Sequence, residues 1–441
     1  MSTFSYFPHT EDDIKEMLQR IGVSSLDDLY SDVPAEFIFK GQYDLPDAMS
    51  EQQIREHFAA LDRRNTKLKI FAGAGAYDHY TPSVVPYLAA RSEFSTAYTP
   101  YQAEISQGTL RYIFEYQSMI CELTGMEISN ASMYDGPTAA AEAMFMAMAC
   151  TKKKTRVLLS DTLLPNVRRV VETYAGFHGV QLGSIAQKDG QTSLESLKAE
   201  LAAGDVAGII VPAVNRFGIV EDFTGFAEAV HEAKAIVVEY CDPSALAVIR
   251  TPGEWGFDVA VGDGQSLGLP LNFGGPYVGF MACSKEHVRK LPGRIVGQTE
   301  DAAGRRCFVL TLQAREQHIR REKATSNICS NESLMALYVT IYLSLMGPEG
   351  MHKVNSLSSC GAHYLHDELL ATGKFEEVFD KPFIKEFVLK PLVPVEKLQQ
   401  ALLDAGYFGA LATEEGYVSF CVTEKRTKAE IDGLVAVVKG L

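Results

Sequence analysis

The feature that most constrains the fold is an alternation of apolar, strand-like runs with helical stretches, which begins near Asn130. The runs are short and rich in β-branched residues, and a helical pattern lies between most successive runs. Such alternation predicts a parallel or mixed sheet covered by helices on both faces, an α/β fold. The runs predicted as strands are residues 156–159, 206–211, 235–238, 257–261 and 277–283.

Helical patterns flank this alternating region. Residues 12–21 carry apolar side chains at helical spacing, and Ser50 is a favourable N-cap for a second helix. A long helical tract follows Ser333, and short strands then alternate with helices to the end of the chain. We therefore predict an N-terminal helical arm (1–65), a large domain (66–340), and a linker helix with a small C-terminal α+β domain (341–441).

Composition excludes several classes of function. With 441 residues, 46% of them hydrophobic and 22% charged, the chain has the composition of a globular protein. A formal net charge of -15 argues against nucleic acid as a partner, because phosphate binding needs clustered Lys and Arg.

Compartment and metal content are also constrained. The closest two of the eight cysteines, Cys307 and Cys329, are too far apart for a Cys-x-x-Cys site, so we predict no metal site and a reducing compartment. Residues 1–13 lack the pattern of an export signal, and the longest apolar run, 334–346, is too short to span a membrane. We expect a cytoplasmic protein with no membrane association.

An acid follows the predicted strand at 235–238. Asp242 comes just past the carboxyl end of this run, where ligands bind in open α/β sheets. A carboxylate there can pair with the pyridinium nitrogen of a cofactor. It can equally cap a short helix that starts after Pro243. The residues alone leave both interpretations open.

Two glycine-containing segments have weaker functional interpretations. The turn Gly136-Pro137-Thr138 enters an Ala-rich helix whose free N–H groups suit a phosphate, although on this stretch alone an ordinary helix start is favoured. Residues 264–268 match Gly-x-Ser-x-Gly around Ser266, but a loop follows where a hydrolase needs a helix, so the match is interpreted as accidental.

Polar aromatic residues are concentrated in the loop around Tyr98, Tyr101 and Gln102. Such a loop supplies hydrogen-bonding groups and aromatic faces beyond what a connection needs, although a surface turn is the simpler interpretation. A basic cluster precedes Asn327 and Cys329, and it can hold an anionic group or form internal ion pairs. Its members are Arg315, His318, Arg320, Arg321 and Lys323.

Together, several segments resemble the P-protein of the glycine cleavage system, and specifically the alpha subunit of the form divided into two chains. The matching stretches are Thr99-Pro100-Tyr101-Gln102, Asn130-Ala131-Ser132, Gly253-Glu254-Trp255-Gly256, Phe273-Gly274-Gly275-Pro276, Arg315-Glu316-Gln317-His318-Ile319-Arg320-Arg321 and Ala324-Thr325-Ser326-Asn327-Ile328-Cys329. They are spread over most of the chain. The resemblance implies the fold of pyridoxal-phosphate-dependent transferases of fold type I, which is aspartate aminotransferase-like.

The resemblance also implies a place for the cofactor lysine, in the loop before Gly274-Gly275-Pro276. Residues 262–276 contain no lysine, so no Schiff base can form there. Gln265 lies near the vacant position. In the family, the beta subunit carries this lysine, so we expect it to hold the pyridoxal phosphate.

The activity implied by the resemblance is glycine dehydrogenase (aminomethyl-transferring), an oxidoreductase. With its beta subunit, as a heterotetramer or other hetero-oligomer, it takes glycine, releases carbon dioxide and passes the aminomethyl group to the lipoyl arm of H-protein. The resemblance suggests that Tyr98, Tyr101 and Gln102 reach the partner's site, with Asp242, Gln265, Asn327 and Cys329 as vestigial or interface residues. A purely structural subunit and an independent pyridoxal enzyme are the alternatives.

Overall fold

The computed structural model describes residues 8–151, 153–324 and 326–441, and the side chains of Arg315 and His318 lie outside that description. The first seven residues of the stretch examined for an export signal are outside it as well. The chain divides into two compact units, Met1–Thr66 and Lys67–Leu441. The three-segment division made from the sequence stays a prediction.

The first unit contains the two predicted helices, α1 (Glu11–Ile21) and α2 (Glu51–Asp62). Both begin with a capping box, in which the side chains of Thr10 and Ser50 accept backbone hydrogen bonds from the first turn. Most of their side chains are exposed, and Leu18 is the buried residue of α1.

The second unit carries the strands and the remaining α-helices. Its strands are β1 (Lys69–Phe71), β2 (Ile128–Ser129), β3 (Arg156–Ser160), β4 (Gln181–Ile185), β5 (Gln187–Lys188), β6 (Gln191–Thr192), β7 (Val206–Pro212), β8 (Ile236–Cys241), β9 (Val259–Asp263), β10 (Gly279–Cys283), β11 (Ile295–Glu300), β12 (Arg306–Thr311), β13 (Phe375–Glu377), β14 (Glu386–Pro391), β15 (Tyr407–Gly409), β16 (Leu411–Ala412) and β17 (Val418–Cys421). Its helices are α3 (Val84–Ala89), α4 (Gln107–Thr124), α5 (Gly136–Thr151), α6 (Pro165–His178), α7 (Leu194–Leu201), α8 (Phe226–Glu232), α9 (Pro252–Trp255), α10 (Gln317–Arg320), α11 (Ser333–Ala371), α12 (Val395–Asp404) and α13 (Lys428–Lys439).

The central sheet of the described residues has the strand order β2-β10-β9-β8-β7-β3-β4. Strands β4, β3, β7, β8 and β9 are parallel, and β10 runs antiparallel to its two neighbours. Every residue of β7 and β8 is buried, as expected of strands covered on both faces. The sequence therefore predicted a mostly parallel mixed sheet correctly.

Two hydrophobic clusters cover the faces of this sheet. Leu158 and Val237 pack on one face with residues of α4 and α11, whereas Val157 and Val238 pack on the other with α5 and α6. The side chains of neighbouring strand residues thus enter different clusters, which follows from the two-residue period of a strand. Within the described part of the chain, no helix is long and apolar enough to cross a membrane.

A second, smaller sheet forms near the C-terminus. Its order is β13-β14-β17-β16, all antiparallel, and β1 pairs in parallel with β15 beside it. Residues of α11, α12 and α13 form a hydrophobic cluster with these strands. The helical tract predicted after Ser333 is α11, which is interrupted at Gly347, where φ is 58°.

The strand Glu386–Pro391 approaches the large sheet's connections so closely that one glycine is required. A Cβ on Gly218 would lie 2.0 Å from the carbonyl oxygen of Glu386, and the φ of Gly218 is +81°. Both the close approach and the left-handed backbone favour glycine here.

We predict that Gly218→Ala destabilises the fold more than Gly204→Ala. Gly204 has a similar φ of +76° but open space around its Cβ position, so its substitution carries only the backbone cost of about 1–2 kcal/mol. Gly218→Ala adds steric displacement, a further ~1–3 kcal/mol. Chemical denaturation of both variants measures the difference, and equal losses would contradict the proposed contact.

Candidate functional site

The carboxyl ends of β8 and β9 bring Asp242 and Ser266 together. Asp242 follows β8 directly and is nearly buried, and the hydroxyl of Ser266 donates a hydrogen bond to it. Instead of facing an open pocket, the carboxylate forms an ion pair with Lys385, whose ammonium nitrogen lies 2.6 Å from Oδ2. Asp242 also accepts a hydrogen bond from the backbone N–H of Ser244, but the short 3₁₀ helix that follows, Ala245–Ala247, has Ser244 as its N-cap and no side-chain cap hydrogen bond.

Lys385 joins this edge of the sheet to the smaller sheet, since it immediately precedes β14. Its ammonium lies 2.8 Å from Nε2 of His79 and 3.9 Å from the centre of the Tyr77 ring. His79 Nδ1 in turn lies 2.6 Å from a carboxylate oxygen of Glu424. The result is a row of four polar side chains in consecutive contact, which runs from Asp242 through Lys385 and His79 to Glu424.

The electrostatics of this row are consistent with a charged Asp242 and a neutral His79. Burial alone would raise the pKa of Asp242, but Lys385 lowers it below its ordinary value. Burial and the adjacent Lys385 lower the pKa of His79. A neutral imidazole can accept from Lys385 through Nε2 and donate to Glu424 through Nδ1.

Gln265, near the position of the vacant lysine, is committed to the backbone. Its carbonyl oxygen accepts from the N–H of Tyr77 at 2.7 Å, and its amide nitrogen donates to the carbonyl oxygens of Tyr77 and Leu269, each at 2.9 Å. The residue is buried, and its amide ties the loop after β9 to the segment after β1. It therefore acts here as a structural link.

The N-terminus of α5, where a phosphate would bind, is already occupied by carboxylates of the chain. The N–H of Gly136 donates to Asp263 at 3.0 Å, and the N–H of Thr138 donates to Asp135 at 2.7 Å. Burial raises the pKa of Asp263 to about 7. The ordinary interpretation of the Gly136-Pro137-Thr138 turn thus describes the structure.

The remaining space at this edge does not accommodate pyridoxal phosphate. The cavity bounded by Tyr77, Asp242, Asp263 and Ser266 has a volume of about 20 Å³. A single water needs about 10–15 Å³ measured in the same way, so the cavity holds little more than one. With its acid paired, its phosphate position filled and no lysine in the loop, this site does not fit the cofactor.

The predicted loop residues lie elsewhere, and two of the predicted residues meet there. Tyr101 and Cys329 converge on Arg294, which donates to the Tyr101 hydroxyl at 3.1 Å and lies 3.6 Å from the Cys329 sulfur. The guanidinium of Arg294 also lies over the Tyr101 ring at 5.1 Å and is paired with Glu316 at 3.4 Å. Arg294 is almost fully buried.

The other predicted residues are separate from this contact. Tyr98 is 89% exposed and Gln102 is exposed, both within the same loop. Asn327 lines a cavity of about 530 Å³ together with Ser326 and Glu142. Ser326 donates to Glu142 at 2.8 Å, and burial raises the pKa of Glu142 to about 7.

Sequence reasoning missed Lys385, His79 and Arg294. Each is an isolated charged or polar residue in an ordinary local pattern, and its partners are distant in the chain. The basic cluster predicted near residue 320 is also only partly described, because the side chains of Arg315 and His318 lie outside the description. Arg320, Arg321 and Lys323 are exposed.

Comparisons with known proteins give a consistent answer over the whole chain. The family model for the glycine cleavage system P-protein matches residues 4–438. A protein of Moorella thermoacetica named probable glycine dehydrogenase (decarboxylating) subunit 1 is 48% identical over 443 residues, which cover 99% of each chain. A crystal structure of glycine decarboxylase (P-protein) in inhibitor-bound form is 43% identical, with a TM-score of 0.92 and full coverage of both chains.

A more distant neighbour identifies the wider fold. An aspartate aminotransferase of Thermus thermophilus is 16% identical, with a TM-score of 0.58 over 84% of this chain and 98% of its own. The predicted aminotransferase-like architecture of fold type I, with a large domain and a small C-terminal sheet domain, is thereby confirmed.

We predict that Lys385→Met strongly destabilises the protein because it leaves the Asp242 carboxylate buried and unpaired. Breaking a buried pair in this way costs about 3–5 kcal/mol. Adding Asp242→Asn to the same chain should recover most of the loss, because the uncompensated charge is then gone. Urea denaturation of the single and double variants measures both effects.

Lys390→Met is the matched control for this experiment. Lys390 lies in β14, the strand that Lys385 immediately precedes, but its ion pair with Glu376 is exposed and screened by solvent. Its substitution should have a much smaller effect. If Lys385→Met were no worse than Lys390→Met, the buried ion pair would not be holding the site closed.

Proposed function

Because this chain belongs to the glycine cleavage system P-protein family, we propose that it is the first of two subunits of a glycine dehydrogenase (decarboxylating) and acts only with its partner. In this proposal the assembled enzyme takes glycine, releases carbon dioxide and passes the aminomethyl group to lipoylated H-protein. The observation that carries the proposal is the full-length match to proteins named as subunit 1.

Pyridoxal phosphate belongs, in this proposal, to the partner subunit. Two features of the present chain support that assignment. Residues 262–276 offer no lysine, and the corresponding edge of the sheet is closed by the ion pair of Asp242 with Lys385. Such a chain has little use for the fold as a cofactor site of its own.

The contribution of this chain to catalysis is the loop that carries Tyr98, Tyr101 and Gln102. Arg294 anchors the loop through Tyr101, while the aromatic side chain of Tyr98 stays in solvent. A loop that is anchored at Tyr101 and exposed at Tyr98 is suited to complete the site of a neighbouring subunit. Its role is to orient the substrate and provide hydrogen-bond donors where charge develops.

A purely structural subunit is the second candidate, and the exposed position of Tyr98 favours the shared site over it. An independent pyridoxal enzyme is disfavoured by the closed edge of the sheet. A serine hydrolase is also disfavoured, because Ser266 is followed by a loop and its hydroxyl donates a hydrogen bond to Asp242.

We predict that pyridoxal phosphate followed by borohydride labels no defined lysine of the isolated chain. The same treatment of the complex should label the partner subunit. Peptide mapping by mass spectrometry locates the modified residues. A single stoichiometric label on one lysine of this chain would contradict the assignment of the cofactor to the partner.

We predict that Tyr98→Phe or Tyr101→Phe lowers glycine decarboxylation by the reconstituted complex. Loss of one preorganised donor in a desolvated site costs ~2.7–4 kcal/mol, which is about a hundred- to thousand-fold in rate. Loss of one ordinary hydrogen bond costs about 1 kcal/mol of stability and leaves activity nearly unchanged. Turnover and melting temperature are measured together for each variant.

Tyr87→Phe provides the matched control, because Tyr87 lies on α3 and is 72% exposed. It should behave as the unmodified chain in both measurements. Reduced turnover at an unchanged melting temperature supports the shared site. Near-normal turnover in both loop variants would make this chain a scaffold.

A further inference from the structure

A second polar cluster lies at the opposite end of the central strands from Asp242, where β9 begins. Asp258 immediately precedes β9, whereas Glu286 and His287 belong to the 3₁₀ helix Lys285–Lys290 that follows β10. These strands are antiparallel and pair Val259 with Cys283, so the start of one meets the end of the other. Sequence spacing gave no sign of this cluster, because its members come from two separate segments.

The donor atoms of these three residues lie at distances that suit a shared ion. Nε2 of His287 is 3.1 Å from an oxygen of Glu286 and 3.8 Å from Oδ1 of Asp258. One ligand atom from each residue lies within 4.8 Å of the others. An ion held about 2.0–2.2 Å from each ligand in tetrahedral geometry separates the ligands by about 3–4 Å, close to this arrangement.

Asp258 is held in place before any ion arrives. Its carboxylate is nearly buried, and Oδ2 accepts a hydrogen bond from the N–H of Val237 at 2.7 Å. Nε2 of His231, on α8, lies 3.1 Å from both carboxylate oxygens. Second partners of this kind fix the orientation of a metal ligand.

His287 has a buried ring nitrogen that ordinary pairing does not satisfy. Among the described residues, Nε2 finds no hydrogen bond of good geometry, although two carboxylates lie within 4 Å. A simple ion pair would direct the N–H at one of those oxygens.

We propose that Asp258, Glu286 and His287 bind a divalent transition-metal ion of the Zn²⁺ class. An imidazole nitrogen with two carboxylates is a donor set for zinc, whereas Mg²⁺ and Ca²⁺ prefer oxygen ligands throughout. A water completes the coordination. The ion links the start of β9 to the 3₁₀ helix after β10 and stabilises that end of the two strands. This proposal is independent of the function proposed above.

The test is Zn²⁺ binding by the full chain after removal of metals with a chelator, in a Cys360→Ser background that eliminates an exposed thiol. Calorimetry should find one Zn²⁺ per chain, and Co²⁺ should give the visible absorption of a site with low coordination number. Glu286→Gln and His287→Gln should each weaken binding at least about tenfold. The melting temperature should rise with Zn²⁺ in the parent chain and less in either variant.

His366→Gln is the matched control, because His366 lies 3.1 Å from Asp367 and 3.9 Å from Glu377 as an ordinary histidine beside carboxylates. It should leave Zn²⁺ binding unchanged. The Glu286 side chain is 73% exposed, so its variant tests the site even if His287→Gln folds poorly. Absence of binding by the parent chain, or equal binding by Glu286→Gln and His366→Gln, overturns the proposal.

Discussion

The ion pair between Asp242 and Lys385 connects the seven-stranded sheet of the second unit to its four-stranded sheet. One partner follows a central strand of the large sheet, and the other precedes a strand of the small sheet. Removing two charges from water is costly, and the cost is offset only when the remaining polar atoms are also satisfied. Here Ser266 donates to the carboxylate, and His79 lies against the ammonium. The two sheets can therefore meet at a charged edge without a ligand between them.

The N-terminus of α5 is also satisfied within the chain, in this case by an acidic side chain. A helix N-terminus attracts an anion, and the N–H of Gly136 at the start of α5 is paired with the carboxylate of Asp263. Lys385 supplies a cation to the Asp242 carboxylate, and Asp263 supplies a carboxyl group to the N-terminus of α5. Both polar positions at this end of the sheet thus have partners within the chain. The cavity that remains between these groups has a volume of about 20 Å³.

Local patterns predicted the elements well because the hydrophobic period of each run reflects its own environment. The runs at 206–211 and 235–238 are buried on both faces, and they appear as β7 (Val206–Pro212) and β8 (Ile236–Cys241). The first strand ends one residue later than predicted, and the second ends three residues later. Partners of buried charges were not predictable in this way. Lys385 resembles any lysine before a strand, and it meets Asp242 only after both sheets have packed.

The loop residues show the same division. The resemblance singled out Tyr101 and Cys329, but their shared contact, Arg294, follows a glycine in a segment with no distinctive pattern. The vacant lysine position was recognisable, because the absence of a residue type from a defined loop needs no three-dimensional information. The ion pair of Asp242 with Lys385 was visible only in the folded chain. The part of Tyr101 and Cys329 in a shared site stays a prediction.

The arrangement around Arg294 explains why a closed subunit can still present an ordered surface. Arg294 is buried and paired with Glu316, and the Tyr101 hydroxyl accepts its hydrogen bond. The ring of Tyr101 also packs beneath the guanidinium, so the position of the loop is determined by the chain itself. Tyr98, three residues earlier, is left in solvent. Ordering the base of the loop in advance reduces the entropy lost when its tip is covered by a partner. The ion pair and the ordered loop are thus similar features, since Lys385 pairs with the Asp242 carboxylate and Arg294 fixes the Tyr101 side chain, each through contacts within this chain.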